Sequence, residues 1–326
     1  MISSTFNSSI NTERHAAHYL IIAGNGFDLY HGLETRYCHY RRWLEKRDRP
    51  IAVEFGHFDY AKQPYNSKHE EHGFEDALWS NLEESLGIDW DGLCADYIER
   101  TYPDISEENP GWDDFWIELE VQLGFIKKLT RRRFREWVES IDVTGVKPRL
   151  ALPIDAAYIT FNYTPTLEYV YDVHPGKILH IHGNVLNDSE LLQFGSPDNN
   201  PNVIKGVLEG SFRADDFYGS SIEQGLAVVL DRCVDTWKNI RGNYSDLNRF
   251  LHCFSSIEKV VIMGNSFNGV DKPYYHDVLA PQLRSAEWVF CEHEHCVERL
   301  SEIIVFCYEL GIVNYRMTSY AEFESM

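Results

Sequence analysis

The stretch YLIIAGNGFDLYHGLETRY, residues 19–37, runs from an apolar burst into an asparagine between two glycines, then an aspartate and a histidine. The run from His18 to Ala23 has the length and β-branched content of a buried strand, and Gly24-Asn25-Gly26 stops it abruptly. A strand ending in a glycine turn is a natural nucleotide site. Glycines let the backbone approach a ligand, and a helix starting near residue 27 would aim its free N–H groups at the same point. The spacing is looser than a full dinucleotide fingerprint, so a plain tight turn between strand and helix accounts for these glycines equally well.

Further strands are expected at 156–162 (AAYITFN), 177–182 (KILHIH), 190–194 (ELLQF), 258–264 (EKVVIMG), 286–291 (AEWVFC) and 311–316 (GIVNYR). Short apolar strands separated by helical stretches imply an α/β fold of Rossmann-like, doubly wound type with a mostly parallel sheet. Residues 41–149 carry no convincing strand and read as a large helical insertion, with a second helical stretch near 222–256. The nucleotide-binding domain is therefore expected over 1–40 plus 150–326, and the insertion over 41–149.

The chain has 326 residues, 44% of them apolar, which is enough for a sizeable core. No apolar run approaches the ~20 residues of a bilayer span, and the polar start MISSTFNSSINTER lacks a signal-peptide core, so a cytoplasmic protein is expected, with no membrane partner. The seven cysteines are scattered without C-x-x-C pairs, as suits a reducing compartment. Thirty cationic against 51 anionic side chains, a net charge of −21, argue against broad coating of nucleic acid. The exceptions are basic islands at 41–49 and 127–135; on a helix, Lys127, Lys128, Arg131, Arg132 and Arg135 would share one face, the one candidate contact for a polyanion.

Within the insertion, DALWSNLEESLG (76–87) and DDFWIELEVQLG (113–124) repeat one pattern. Trp79, Leu82 and Leu86 match Trp116, Leu119 and Leu123 at helical intervals, which predicts a hairpin burying one stripe against the other. Glu83 and Glu120 take equivalent places, as structural glutamates or as a carboxylate pair around a metal or a proton. CEHEHC at 291–296 is the densest set of metal-ligating side chains, but no second cluster completes it, and no metal is expected.

Three more motifs fall at strand ends. Asn162 follows the strand of YITFNYTPTLEYVY, with Thr164-Pro165 opening a helix. His182-Gly183 ends the strand of ILHIHGNV, where His180 is expected on the same face as His182. Gly264-Asn265-Ser266 in VVIMGNSFNGVDKPYY repeats the opening pattern of strand, glycine and asparagine. Open α/β sheets bind ligands at their carboxyl edge, so these ends can converge on one crevice.

IIAGNGFDLYHGLETRYCHY, LWSNLEESLG, TFNYTPTLE, HIHGNV, LQFGSPDN and IMGNSFNGVDKPYY, in this order over nearly the whole chain, resemble the AbiH family of bacterial abortive infection against bacteriophage. A more distant resemblance is to sirtuin-like NAD-binding proteins: their glycine-rich loop corresponds to Gly24 and Gly26, their strand-end asparagine to Asn162, their His-Gly pair to His182-Gly183, and their Gly-x-Ser loop to Gly264 and Ser266. This chain departs at Asp28, which lies near the place of a small or hydroxyl residue, at Thr164, which replaces an acid, and in lacking the zinc-binding cysteine module.

The resemblance implies a protein that binds NAD or a related nucleotide as substrate and cleaves its nicotinamide glycosidic bond during phage infection. His182 is the expected general base and Asn162 orients ribose and water. Gly24, Asn25 and Gly26 receive the pyrophosphate, Gly264, Asn265 and Ser266 the adenosine ribose, and Asp28 with His31 completes the first loop. A phage-derived trigger and a homo-oligomer are compatible with this reading. Two other classes remain open: a metal-dependent nuclease or phosphohydrolase using Asp28, Glu83, Glu120 or the 291–296 cluster, and a nucleotide- or phage-sensing module without chemistry.

Overall fold

The structure, a computed structural model, describes residues 15–60, 82–101, 114–211, 219–267, 269–292 and 297–323. The chain divides into two compact units, one of Met1–Arg36, Val138–Leu192 and Ile240–Met326, the other of Tyr37–Trp137 and Gln193–Asn239.

The first unit is built on a sheet. Its strands are β1 His15–Ala16, β2 Tyr19–Ala23, β3 Ala156–Thr160, β4 Ile178–His180, β5 Phe254–Ser255, β6 Lys259–Met263, β7 Glu287–Glu292 and β8 Tyr315–Ser319. Six of them form one sheet in the order β4-β3-β2-β6-β7-β8, all pairs parallel, while β1 and β5 make a separate two-residue ladder. The chain starts this sheet in its middle, runs outward through β3 and β4 on one side, then returns to lay β6, β7 and β8 on the other. That is the winding of a doubly wound Rossmann-like α/β fold, and it puts a crevice where the direction reverses, beside β2.

Both faces of the sheet are covered, which is why its strands read as continuous apolar runs rather than alternating ones. Leu20, Ile22, Ile159, Val260, Ile262 and Phe290 pack on one face with Leu247, Phe250, Leu279, Ile303 and Phe306 of the surrounding helices. Ile21, Ala23, Tyr158, Val261, Val289 and Cys291 fill the other with Phe27, Leu167, Tyr320 and Phe323.

Two expected strands differ. Residues 190–194 are irregular, although Leu192 and Phe194 are buried; Phe194 stacks on Phe134 with ring centroids 3.9 Å apart, so its apolar character serves the second unit. The last strand lies at Tyr315–Ser319, a few residues beyond the expected 311–316.

The second unit is helical, and it takes in residues 193–239, which the sequence places with the sheet. Its helices include Tyr37–Arg47, Arg49–Tyr60, Trp90–Thr101, Asp114–Lys127 and Gly219–Thr236. Leu82, Leu86, Leu119 and Leu123 of the repeated pattern are buried, Trp116 is half-buried, and Trp79 lies outside the described residues.

The carboxylates of the repeat each meet a cation. Lys238, 1% exposed, donates to both oxygens of Glu83 at 3.0 and 3.1 Å. Arg232, also buried, donates to Glu120 at 3.1 Å and to Asp235 at 3.1 Å. Asn199, fully buried, accepts from the Ile88 amide and the Trp90 indole and donates to the Leu86 carbonyl and the Thr236 hydroxyl. These bonds join stretches far apart in sequence, which explains why 193–239 groups with 37–137, and they give Glu83 and Glu120 structural partners.

The basic island is a π-helical turn, Lys128–Arg133. Lys127, Arg131, Arg132 and Arg133 are paired with Asp231, Asp235, Glu136 and Asp48 respectively. Among the described residues no group of three or more His, Cys, Asp or Glu side chains could hold a metal ion. Cys291 is buried in β7, its thiol pushed up to about 12 by burial, and residues 293–296 of the CEHEHC stretch lie outside the described residues.

Removing one partner of a buried ion pair strands the other charge. Lys238→Met should cost about 3–5 kcal/mol of stability, and adding Glu83→Gln should restore most of it. Urea titration of both variants checks this; a single variant as stable as the wild type would contradict the pairing.

Candidate functional site at the carboxyl edge of the sheet

β2 ends at Ala23, and its glycine turn folds onto the turn that follows β6. The Gly24 amide donates to the Met263 carbonyl at 2.9 Å and the Gly26 amide to the Gly264 carbonyl at 2.7 Å. A Cβ on Gly26 would lie 2.6 Å from Gly264 Cα, and one on Gly24 2.7 Å from Asn265 Cα. Gly264 has φ +63°, where a side chain is strained, and its Cβ would lie 2.3 Å from the Phe27 nitrogen. The three glycines therefore let two loops pack backbone on backbone at the reversal of strand order. This revises the cradle expected from the sequence: the Gly24 and Gly26 amides are committed inside the protein, while the Asn25 and Ser266 side chains are exposed. Asn265 is likewise a turn former, its Oδ1 accepting from the Phe267 amide at 2.8 Å and its carbonyl from the Arg299 guanidinium.

Asn162, two residues past β3, donates from Nδ2 to the Gly24 carbonyl at 3.0 Å. That bond fixes the amide and leaves Oδ1 as its acceptor end. Asp28, in the short helix Asn25–Tyr30, is 1% exposed. Its Oδ2 accepts from the Thr164 hydroxyl, which contacts Thr166 Oγ1 at 3.1 Å, and its Oδ1 has no hydrogen-bond partner. Burial raises the Asp28 carboxyl to about 6; the Thr164 and Thr166 hydroxyls, the Asn162 amide and the charge of His180 pull the other way without overcoming it.

His180 closes the group. Its Nδ1 lies 3.3 Å from the Asn162 carbonyl, an acceptor only, so Nδ1 carries a proton. Its Nε2 lies 2.8 Å from Glu168 Oε1, a distance that needs one further proton between them. The Asn184 carbonyl accepts from the Leu186 amide at 2.9 Å, which turns Asn184 Nδ2 toward Glu168 Oε1 at 3.1 Å. Asn184 Nδ2 also lies 2.9 Å from His180 Nε2, so His180, Glu168 and Asn184 form one closed group. Glu168 Oε2 is buried with no hydrogen-bond partner.

Alternation along the strand predicts one shared face for His180 and His182, but the two meet different neighbours. β4 ends at His180, and Gly183 turns the chain with φ +90°. His182, 1% exposed, sits against Phe161, Tyr163 and Tyr274 at ring-centroid distances of 5.4, 6.1 and 5.6 Å, with Nε2 3.5 Å from Asp271 Oδ1. Asn243 braces this enclosure by donating to the Ile181 carbonyl and the Tyr274 hydroxyl.

His31 has a structural position instead of the ligand contact expected of it. Its Nδ1 faces the Phe27 carbonyl at 2.7 Å, so it donates there, and Nε2 then accepts from the Tyr171 hydroxyl at 2.6 Å. Tyr171 in turn accepts from the Arg149 and Leu150 amides. Burial holds the ring below the usual histidine range.

The structure thus gathers Gly24, Gly26, Asp28, Asn162 and Gly264 at one edge, with His182 one residue beyond Phe161 on the neighbouring strand end. Sequence reading missed Thr166, Glu168, Asn184 and Asp271. The T-P-T-L-E run (164–168) carried a usable signal, two hydroxyls and a carboxylate around the start of a helix that follows a strand end.

Because burial raises the Asp28 carboxyl in the folded protein above its unfolded value, its contribution to stability is present below about pH 4 and is lost as pH rises through about 6. At neutral pH the buried charge costs on the order of 3 kcal/mol. Asp28→Asn, which can still accept from Thr164, should raise the melting temperature at pH 7.5 and flatten the decline between pH 4 and 6. An unchanged pH dependence in this variant would exclude Asp28 as its source.

A model of the family described as bacteriophage abortive infection AbiH matches residues 20–292, which contain every residue of this site. No curated protein and no solved structure matches the chain. Among the described residues no helix is long and apolar enough to cross a membrane. With a match over most of its length, from β2 through β7, the chain belongs to the AbiH family, the bacteriophage abortive infection proteins.

Proposed function

We propose that the protein acts in abortive infection by binding NAD or a related nucleotide at the carboxyl edge of its sheet and hydrolysing the bond between nicotinamide and ribose. The observation that carries this reading is the convergence of polar groups beside the strand-order reversal: Asn162 held on the Gly24 carbonyl, with the His182–Asp271 pair beyond it. Open α/β sheets bind nucleotides at that place.

Loss of nicotinamide leaves an oxocarbenium-like sugar, so a catalyst must hold the ribose and place one nucleophile. Asn162 Oδ1 orients a ribose hydroxyl or the water. His182 takes the proton as general base, with Asp271 Oδ1 3.5 Å from its Nε2 and Phe161, Tyr163 and Tyr274 keeping bulk water away. With the Gly24 and Gly26 amides committed, the exposed Asn25 and Ser266 side chains are the groups left to meet pyrophosphate and ribose.

Purified protein incubated with NAD, with and without phage lysate and chelator, should release nicotinamide in a chelator-insensitive reaction. His182→Ala and Asn162→Ala should each lower the rate by about 10²–10⁴-fold while the protein stays folded by circular dichroism. NAD bound but left intact under all conditions would turn the reading to a sensor, and chelator-sensitive cleavage of nucleic acid to a nuclease. A His182 variant that still depletes NAD would refute the base assignment.

A further inference from the structure

We propose that Asp28 is a further catalytic residue of this site: its carboxylate, through the unpartnered Oδ1, lies against the ribose and stabilises the positive charge that develops there as nicotinamide departs. The proposal rests on the NAD-cleaving reading above.

Three observations carry it. Asp28 is 1% exposed, yet Oδ1 has no hydrogen-bond partner, whereas Oδ2 is held by Thr164. A carboxylate kept only to brace a turn has no need of a buried, empty oxygen, whose desolvation is uncompensated until a ligand arrives. Second, the neighbouring Glu168 is paired with His180, Oε1 to Nε2 at 2.8 Å, whereas among the described residues no cation is paired with Asp28. A fixed negative charge out of water suits a cation that exists only in the transition state. Third, Asp28 stands one turn after β2, beside the Asn162 amide that holds Gly24.

In the reaction the bond from ribose C1′ to the nicotinamide nitrogen breaks, and its electron pair leaves with the neutral nicotinamide. C1′ becomes electron-poor opposite Asp28, a water oxygen bonds to it, and the water's proton passes to His182 and then to solvent. Asp28 itself neither gains nor loses a proton. The groups that face it are Thr164 and Thr166, Asn162, and His180 of β4, which is paired with Glu168 of the helix Thr166–Tyr171. His31, at the end of its own helix, is bound to Phe27 and Tyr171.

The measurement is nicotinamide release as a function of NAD concentration and pH. Asp28→Asn should lower kcat by about 10²–10³-fold with KM within a few-fold, the mark of an interaction made only in the transition state. Since the Asp28 carboxyl titrates at about 6, wild-type log kcat should fall toward a slope of 2 on the acid side, one proton for Asp28 and one for His182, and Asp28→Asn should reduce that slope to 1. Thr164→Val removes the bond to Oδ2 but keeps the charge, and should move the acid limb to higher pH; it stands as the test if Asp28→Asn does not fold. An Asp28→Asn kcat within threefold of wild type, a raised KM at unchanged kcat, or an unmoved limb in Thr164→Val each overturns the proposal while the NAD reading stands. No nicotinamide released by the wild type overturns both.

Discussion

Backbone packs directly on backbone where the turn after β2 meets the turn after β6, and the candidate site depends on that contact. Gly26 and Gly264 sit so close that either Cβ would overlap the other residue's main chain, and the Gly24 and Gly26 amides donate to the Met263 and Gly264 carbonyls at 2.9 and 2.7 Å. Nothing larger than hydrogen fits between them. The contact locks the two central strand ends together, and it orients the Gly24 carbonyl toward Asn162. Asp28 follows one turn later on a helix whose start is fixed by the same glycines. A side chain at any of these positions would separate the strand ends and dissolve the arrangement of Asn162 and Asp28 together.

Buried charge is handled in two ways within the chain. In the helical unit two buried cations meet carboxylates, Lys238 with Glu83 and Arg232 with Glu120 and Asp235, although Arg232 Nε keeps no hydrogen-bond partner. Such pairs bring distant segments together and specify one packing, at little net gain in stability. At the sheet edge the pairing is incomplete. Asp28 and Glu168 each keep one buried oxygen without a hydrogen-bond partner, and Asp28 is raised toward neutrality by burial. A buried polar group left without a partner is one way in which proteins mark a place where a ligand completes the bonding.

Much of the fold was legible because a parallel sheet covered on both faces needs strands that are apolar throughout. Five of the six strands of the main sheet announce themselves as such runs, and glycine or asparagine at their ends marks the functional edge. The 190–194 segment misled for the same physical reason: Leu192 and Phe194 are as buried as strand residues, but Phe194 is buried by stacking on Phe134, and apolar composition does not say against what a residue packs. Residues 193–239 join the helical unit through Asn199, Arg232 and Lys238, whose partners lie about a hundred positions or more away in the chain.

By itself the sequence determined the doubly wound class, the edge at which the polar strand ends collect, and the identities of Asn162, His182 and Asp28 as residues of interest, because strand periodicity and turn chemistry are local properties. Only the tertiary structure decided what each one contacts. It turned the Gly24 and Gly26 amides from ligand donors into a loop-to-loop clasp and tied His31 to Tyr171. At the end of β4 it sent His180 and His182 to different surroundings, and it set Thr166, Glu168 and Asn184 around the sheet edge. Hydrogen-bond partners and burial are supplied by segments distant in the chain, so a residue's type limits the chemistry open to it, and its neighbours in space select which part of that chemistry it performs.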